Sequence, residues 1–128
     1  MVQASRKALR SQRRGLTQTE QRRAAEAVAQ SAKHLIANLN LRTLGAYWPN
    51  DGELSGLPIL QEALVLGLTC TLPIISNQSL TFARIGPTTR FHPNRYEILE
   101  PIQDADSEVP LLLHDALFMP LVGFNETG

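Results

Sequence analysis

Residues 25–52 read AEAVAQSAKHLIANLNLRTLGAYWPNDG, and the fold class turns on a change of period inside this stretch. Its first part places Ala25, Val28, Ala29, Ala32, Leu35, Ile36 and Leu39 at three- and four-residue steps. That spacing predicts an amphipathic helix with one apolar stripe. Asn38 to Asn40 ends it, and Thr43-Leu-Gly-Ala-Tyr-Trp48 reads as a buried strand. Pro49-Asn-Asp-Gly52 then carries strong turn chemistry.

The pattern continues outward in both directions. Upstream, Thr17-Gln-Thr-Glu20 has the spacing of a capping box, and Ser5 to Arg14 reads as a shorter helix with few apolar residues. Downstream, Ser55 is placed to cap a helix with Pro58 in its first turn, which carries Leu57, Leu60, Leu64 and Val65 inward and is closed by Gly67. Leu68 to Ile75 predicts a second strand, and the alternating Ser79 to Ile85 an antiparallel or edge strand. Gly86 to Asp106 reads as a structured loop. Ala116 to Phe124 predicts a last apolar strand with a bulge or edge at Pro120. Helices alternating with near-continuous apolar strands define an α/β fold with a parallel or mixed sheet. In open sheets of this kind ligands collect beyond the carboxyl ends of the strands. That rule selects two loops, Pro49 to Glu53 and Asn125 to Gly128.

Composition narrows the function classes. The chain has 128 residues, 43% hydrophobic and 19% charged, which suits one globular domain. No apolar run approaches membrane-spanning length, and the basic N-terminus has no signal-peptide core. The single cysteine, Cys70, lies in the apolar run Leu68 to Leu72 and reads as a buried reduced thiol, consistent with the cytoplasm. Net charge is zero, yet Arg6, Lys7, Arg10, Arg13, Arg14, Arg22 and Arg23 crowd the start. On a helix, Arg6, Arg10, Arg13 and Arg14 form one positive stripe whose repulsion a bound anion would relieve. A solvated arm accounts for the same stripe. A nucleic-acid module is disfavoured, because no groove-reading motif accompanies it. Glu53 sits at the ligand rim, where a carboxylate accepts from an amino-heterocycle or simply faces a helix N-terminus. Of Tyr47 and Trp48, one is expected to face the core and the other to stack on a flat ligand. His34, His92 and His114 lack metal-ligand spacing and read as structural or surface residues.

Taken in order, six segments resemble the 5-formyltetrahydrofolate cyclo-ligase (5,10-methenyltetrahydrofolate synthetase) family. They are Arg6-Lys7-Ala-Leu-Arg10, Leu16-Thr-Gln-Thr-Glu20, Tyr47-Trp-Pro-Asn-Asp-Gly-Glu-Leu54, Thr71-Leu-Pro-Ile-Ile75, Arg95-Tyr-Glu-Ile-Leu-Glu-Pro101 and Phe118-Met-Pro-Leu-Val-Gly-Phe124. The resemblance implies a three-layer α/β/α domain over residues 1–128 with a mostly parallel mixed sheet. It also implies use of ATP and Mg²⁺ to convert 5-formyltetrahydrofolate into 5,10-methenyltetrahydrofolate. In that reaction the formyl oxygen takes the γ-phosphoryl group, N10 attacks the same carbon, and phosphate leaves. By position, Arg6, Lys7 and Arg10 match the family's nucleotide-binding segment, and Trp48 and Glu53 its folate contacts. Two departures accompany the match. Phe124-Asn125-Glu-Thr-Gly128 stands where the family has Phe-Asp-x-x-Gly. The family's later Arg-Leu-Gly, glycine-rich phosphate loop and metal-holding Asp do not occur in the 128 residues. The resemblance therefore leads us to expect a monomer acting on a small molecule, with the sheet incomplete and turnover impaired or absent. The alternative is a non-catalytic folate- or nucleotide-binding remnant.

Overall fold

The computed structural model describes residues 2–77, 79–102 and 106–121. Helices α1 (Val2–Arg14) and α2 (Gln18–Leu39) precede strand β1 (Thr43–Gly45). Helix α3 (Leu57–Val65) leads to β2 (Thr69–Ser76) and β3 (Ser79–Ile85). A hairpin of β4 (Phe91–Pro93) and β5 (Leu99–Pro101) follows, then a 3₁₀ turn at Leu111–Leu113 and β6 (Ala116–Leu117). The main sheet has the order β3-β2-β1-β6. β1 runs parallel to both β2 and β6, and β2 pairs antiparallel with β3. The expected α/β class with a mixed sheet is therefore borne out.

Strand alternation sorts the two faces of the sheet. Leu44, Cys70 and Leu72 share one face, where they form a buried cluster with Ala29, Ala32 and Ile36 of α2 and Ile59, Leu60 and Ala63 of α3. Leu44, Leu60 and Leu72 are almost fully buried, and each contributes about 1.5–3 kcal/mol by leaving water. Gly45 and Thr71 point to the opposite face, beneath His114. The Thr71 hydroxyl lies 2.8 Å from His114 Nε2. His114 Nδ1 lies 3.1 Å from the Pro110 carbonyl. A proton on Nδ1 satisfies that carbonyl and leaves Nε2 to accept from Thr71. A Cβ on Gly45 would lie 2.5 Å from Leu117 Cδ2 and 2.9 Å from Thr71 Oγ1, so any larger residue would have to displace Leu117 and Thr71.

Local signals explain the element ends. The capping box at Thr17 is formed: its hydroxyl accepts from Glu20 N–H at 3.1 Å and its own N–H donates to the Glu20 carboxylate at 3.0 Å. The bond from the Thr17 N–H, and after it the Thr17 hydroxyl, hold the Glu20 carboxyl below its ordinary value. Asn40 ends α2 in the left-handed region, with φ 53°. The Asp115 carboxylate accepts from the N–H groups of Arg42 and Thr43 at 2.7 and 3.0 Å, fixing β6 beside the start of β1.

Several expectations need correction. The α2 stripe is narrower than its periodicity implied: Ala25, Ala29, Ala32 and Ile36 are buried, whereas Val28, Leu35 and Leu39 are exposed. β1 stops at Gly45 rather than Trp48. Gly56, not Ser55, is the N-cap of α3. Ile59, Leu60 and Ala63 are its buried residues, while Val65 is 85% exposed. The loop from Gly86 contains the β4–β5 hairpin. β3 ends the main ladder, but its outer edge is bridged through Ala83 and Glu108. β6 is shorter than expected within the described residues, and the readings for Val122 to Gly128 lie outside them.

Candidate functional site

The loop leaving β1 is built by two consecutive left-handed residues, Asp51 at φ 54° and Gly52 at φ 73°. They fold the chain back so that Glu53 N–H donates to the Asn50 carbonyl at 3.1 Å. Asn50 N–H in turn donates to Glu53 Oε1 at 3.0 Å. Glu53 is thereby held by its own turn, with acceptor capacity left on its carboxylate. The Tyr47 hydroxyl donates to the Leu54 carbonyl and closes the loop from the other side. Burial, then the negative charge of Glu53, push the Tyr47 phenol above its ordinary value.

Trp48 and Glu53 line the same cavity, of about 240 Å³. Tyr47 lines it too, and Trp48 also packs against the core cluster, so one of the pair does reach the core but both border the cavity. The reason is local: the strand ends before both residues, and two-residue alternation no longer applies. The opposite wall comes from β2 and the hairpin, including Ile75, Asn94 and Glu100. Phe91 packs on Trp48 with ring centroids 5.7 Å apart.

Glu100 is the member that sequence reasoning missed. It is only 4% exposed. Its Oε2 accepts from Ile75 N–H at 2.8 Å and from Asn94 Nδ2 at 3.0 Å. His92 lies 3.9 Å from its other oxygen. A buried carboxylate with backbone and amide donors fastens the hairpin to β2. The only prior signal was an acid inside the apolar run Ile98 to Pro101, which local chemistry did not explain.

Of the basic residues near the start, Arg6, Lys7, Arg10, Arg13 and Arg14 lie on α1, and Arg22 and Arg23 on α2. Arg6, Lys7, Arg10, Ser11 and Arg14 line an open groove of about 530 Å³. Arg13 leaves this stripe. Its guanidinium bonds Asp51 at 3.1 Å, and its backbone carbonyl sits 3.2 Å from where a Cβ on Gly52 would lie. Arg14 binds the same carboxylate through Nε at 2.6 Å and NH2 at 2.8 Å. The Arg14 hydrogen bond, more than its charge, holds the Asp51 carboxyl below its ordinary value. Asp51 thus joins the basic helix to the loop that carries Glu53. Burial alone pushes the Cys70 thiol up to about 11, as expected for a core thiol remote from these groups. Among the described residues no group of three His, Cys, Asp or Glu side chains is arranged to hold a metal ion. No helix among them is long and apolar enough to cross a membrane.

The α/β domain thus carries an acid-bearing cavity beyond β1 and a separate cationic groove along α1. The comparisons show its family. The model of the 5-formyltetrahydrofolate cyclo-ligase family matches residues 2–128, and the chain belongs to that family. It is 31% identical over 123 residues to the 5-formyltetrahydrofolate cyclo-ligase of Haemophilus influenzae, covering 94% of this chain and 66% of the relative. The Escherichia coli enzyme of the same name is 29% identical over 123 residues, with 94% and 68% covered. Among solved structures, the 5,10-methenyltetrahydrofolate synthetase of Aquifex aeolicus matches with TM-score 0.75 and 22% identity, over 90% of this chain and 58% of that one. The synthetase of Mycoplasma pneumoniae matches with TM-score 0.65 and 22% identity, over 97% and 66%. The chain thus spans about two thirds of the length of the curated relatives.

Proposed function

We propose that the chain acts as one domain in the ATP-dependent conversion of 5-formyltetrahydrofolate to 5,10-methenyltetrahydrofolate, in the cytoplasm. The observation that carries this reading is the shared cavity of Trp48 and Glu53. An indole face beside a turn-held carboxylate suits a flat ring bearing amino and N–H donors. The groove of Arg6, Lys7, Arg10 and Arg14 suits a phosphate chain, because arginine forks pair two donors with two oxygens. ATP, when bound, supplies the phosphoryl group that activates the formyl oxygen. Mg²⁺, when bound, would neutralise phosphate charge, since it is commonly held by one or two carboxylates together with phosphate oxygens. What these residues contribute is positioning of the ring and neutralisation of phosphate charge.

Trp48 is the only tryptophan, so its emission reports on the cavity without labelling. Titration with 5-formyltetrahydrofolate is expected to quench that emission saturably. Glu53→Gln should weaken binding by about 1.5–3 kcal/mol, the range for a hydrogen bond to a charged group. Calorimetry of the same titration checks the affinity. An unchanged affinity in the variant, or no saturable response in the parent chain, contradicts the reading.

A further inference from the structure

A cavity of about 240 Å³ holds a bicyclic ring but falls below the roughly 300–1,000 Å³ of sites that enclose a drug-sized molecule. A folate also carries a benzoyl group and a glutamate, which need somewhere to lie. The cavity has a neighbour further along β2. There Ile75, Ser76 and Asn77, together with Asn94, Arg95 and Tyr96, line a second space of about 340 Å³. Ile75 and Asn94 border both cavities.

Asn94 is a fixed divider. Its Oδ1 accepts from Tyr96 and Ile98 N–H at 2.8 and 3.1 Å, and its Nδ2 donates to Glu100 at 3.0 Å. The two spaces differ in sign. Glu53 and Glu100 border the first, whereas Arg95 borders the second. The Arg95 guanidinium lies over the Tyr96 ring, 5.0 Å from its centroid, which orders an otherwise flexible cation at the rim. An acidic first chamber and a cationic second one match a ligand with ring donors at one end and carboxylates at the other.

We propose that the second cavity receives the glutamate carboxylates of a folate whose ring lies at Trp48 and Glu53, and that Arg95 sets the preference for that tail. The inference rests on the folate reading above. The test compares two ligands by calorimetry, 5-formyltetrahydrofolate and 5-formyltetrahydropteroyl methylamide, which keeps the ring and benzoyl group but has no glutamate. The parent chain should bind the glutamate-bearing ligand about two- to fivefold more tightly, the range for an exposed ion pair with good geometry. That advantage should shrink as salt rises and disappear in Arg95→Gln, while the methylamide binds both chains equally. If the methylamide binds and the glutamate adds nothing, or its advantage survives in Arg95→Gln, the tail subsite is wrong and the ring site stands. If neither ligand binds, the folate reading fails and this inference falls with it.

Discussion

Two regions brace the loop between Trp48 and Glu53, and they do so by opposite physics. On one side α1 is attached by surface charge, with Arg13 and Arg14 converging on the exposed carboxylate of Asp51. On the other side the β4–β5 hairpin is attached by the buried carboxylate of Glu100, which accepts from Ile75 N–H and Asn94 Nδ2. Each junction is centred on one acid. Burial makes the difference: Glu100 has no water to replace lost partners, whereas Asp51 and Arg14 do, although Arg13 is itself largely buried. The cavity is therefore fastened on the hairpin side by a buried carboxylate, while the loop that carries Glu53 is tied to the basic helix by one open to water.

The buried junction should give the largest effect when broken. Glu100→Ala leaves the Ile75 amide and the Asn94 side chain without their acceptor, an expected loss of about 2–3 kcal/mol in urea unfolding. Trp48 emission should shift as well, because Phe91 packs on that ring from the same hairpin. An unchanged midpoint would mean that Glu100 does not carry the hairpin. A smaller effect is expected where α1 meets α2. Thr17→Ala removes the cap and should cost about 1 kcal/mol by the same measurement. It should also loosen the first turn of α2, where Gln21 Nε2 reaches the Gly52 carbonyl at 3.5 Å. If hydrogen exchange of that turn is unaltered, the capping box is not what holds it.

The contrast between the junctions also governs what the sequence made legible. The α2–β1 unit, the capping box and the turn at Pro49 to Gly52 follow from local periodicity and short-range hydrogen bonds. The capping box and the turn appear where those rules put them, and so does the α2–β1 unit apart from the earlier end of β1 at Gly45. Trp48 and Glu53 were readable because a topological rule places ligands at strand ends. Glu100 was not, since its partner Ile75 is remote in sequence and an acid before a proline carries no local signature. The width of the α2 stripe misled for a related reason. Periodicity marks which residues share a helical face, but only tertiary contact decides how much of that face is covered. Val28 and Leu35 lie on the flank that α3 and the sheet leave open.

The weakest junction offers the most selective probe. Asp51→Asn should leave the urea midpoint nearly unchanged while lowering hydrogen-exchange protection across α1 several-fold. Raising salt to about 0.5 M should do the same to the parent chain, because exposed pairs are screened at that ionic strength. Acid should act through the same group. The native carboxyl of Asp51 is held below its ordinary value of 3.8, chiefly by the Arg14 hydrogen bond. A group whose native value is the lower one stabilises the folded arrangement above its ordinary value and loses that contribution as pH falls through the depressed one. Protection of α1 should therefore be full at neutral pH and decline only below the ordinary carboxylate range. In Asp51→Asn that local response should be absent, although Glu20 and Asp115, whose carboxyls are also held low, still titrate nearby in pH. Identical acid responses of α1 in the two chains would show that its attachment does not pass through Asp51, and the charge-held half of the comparison would fail.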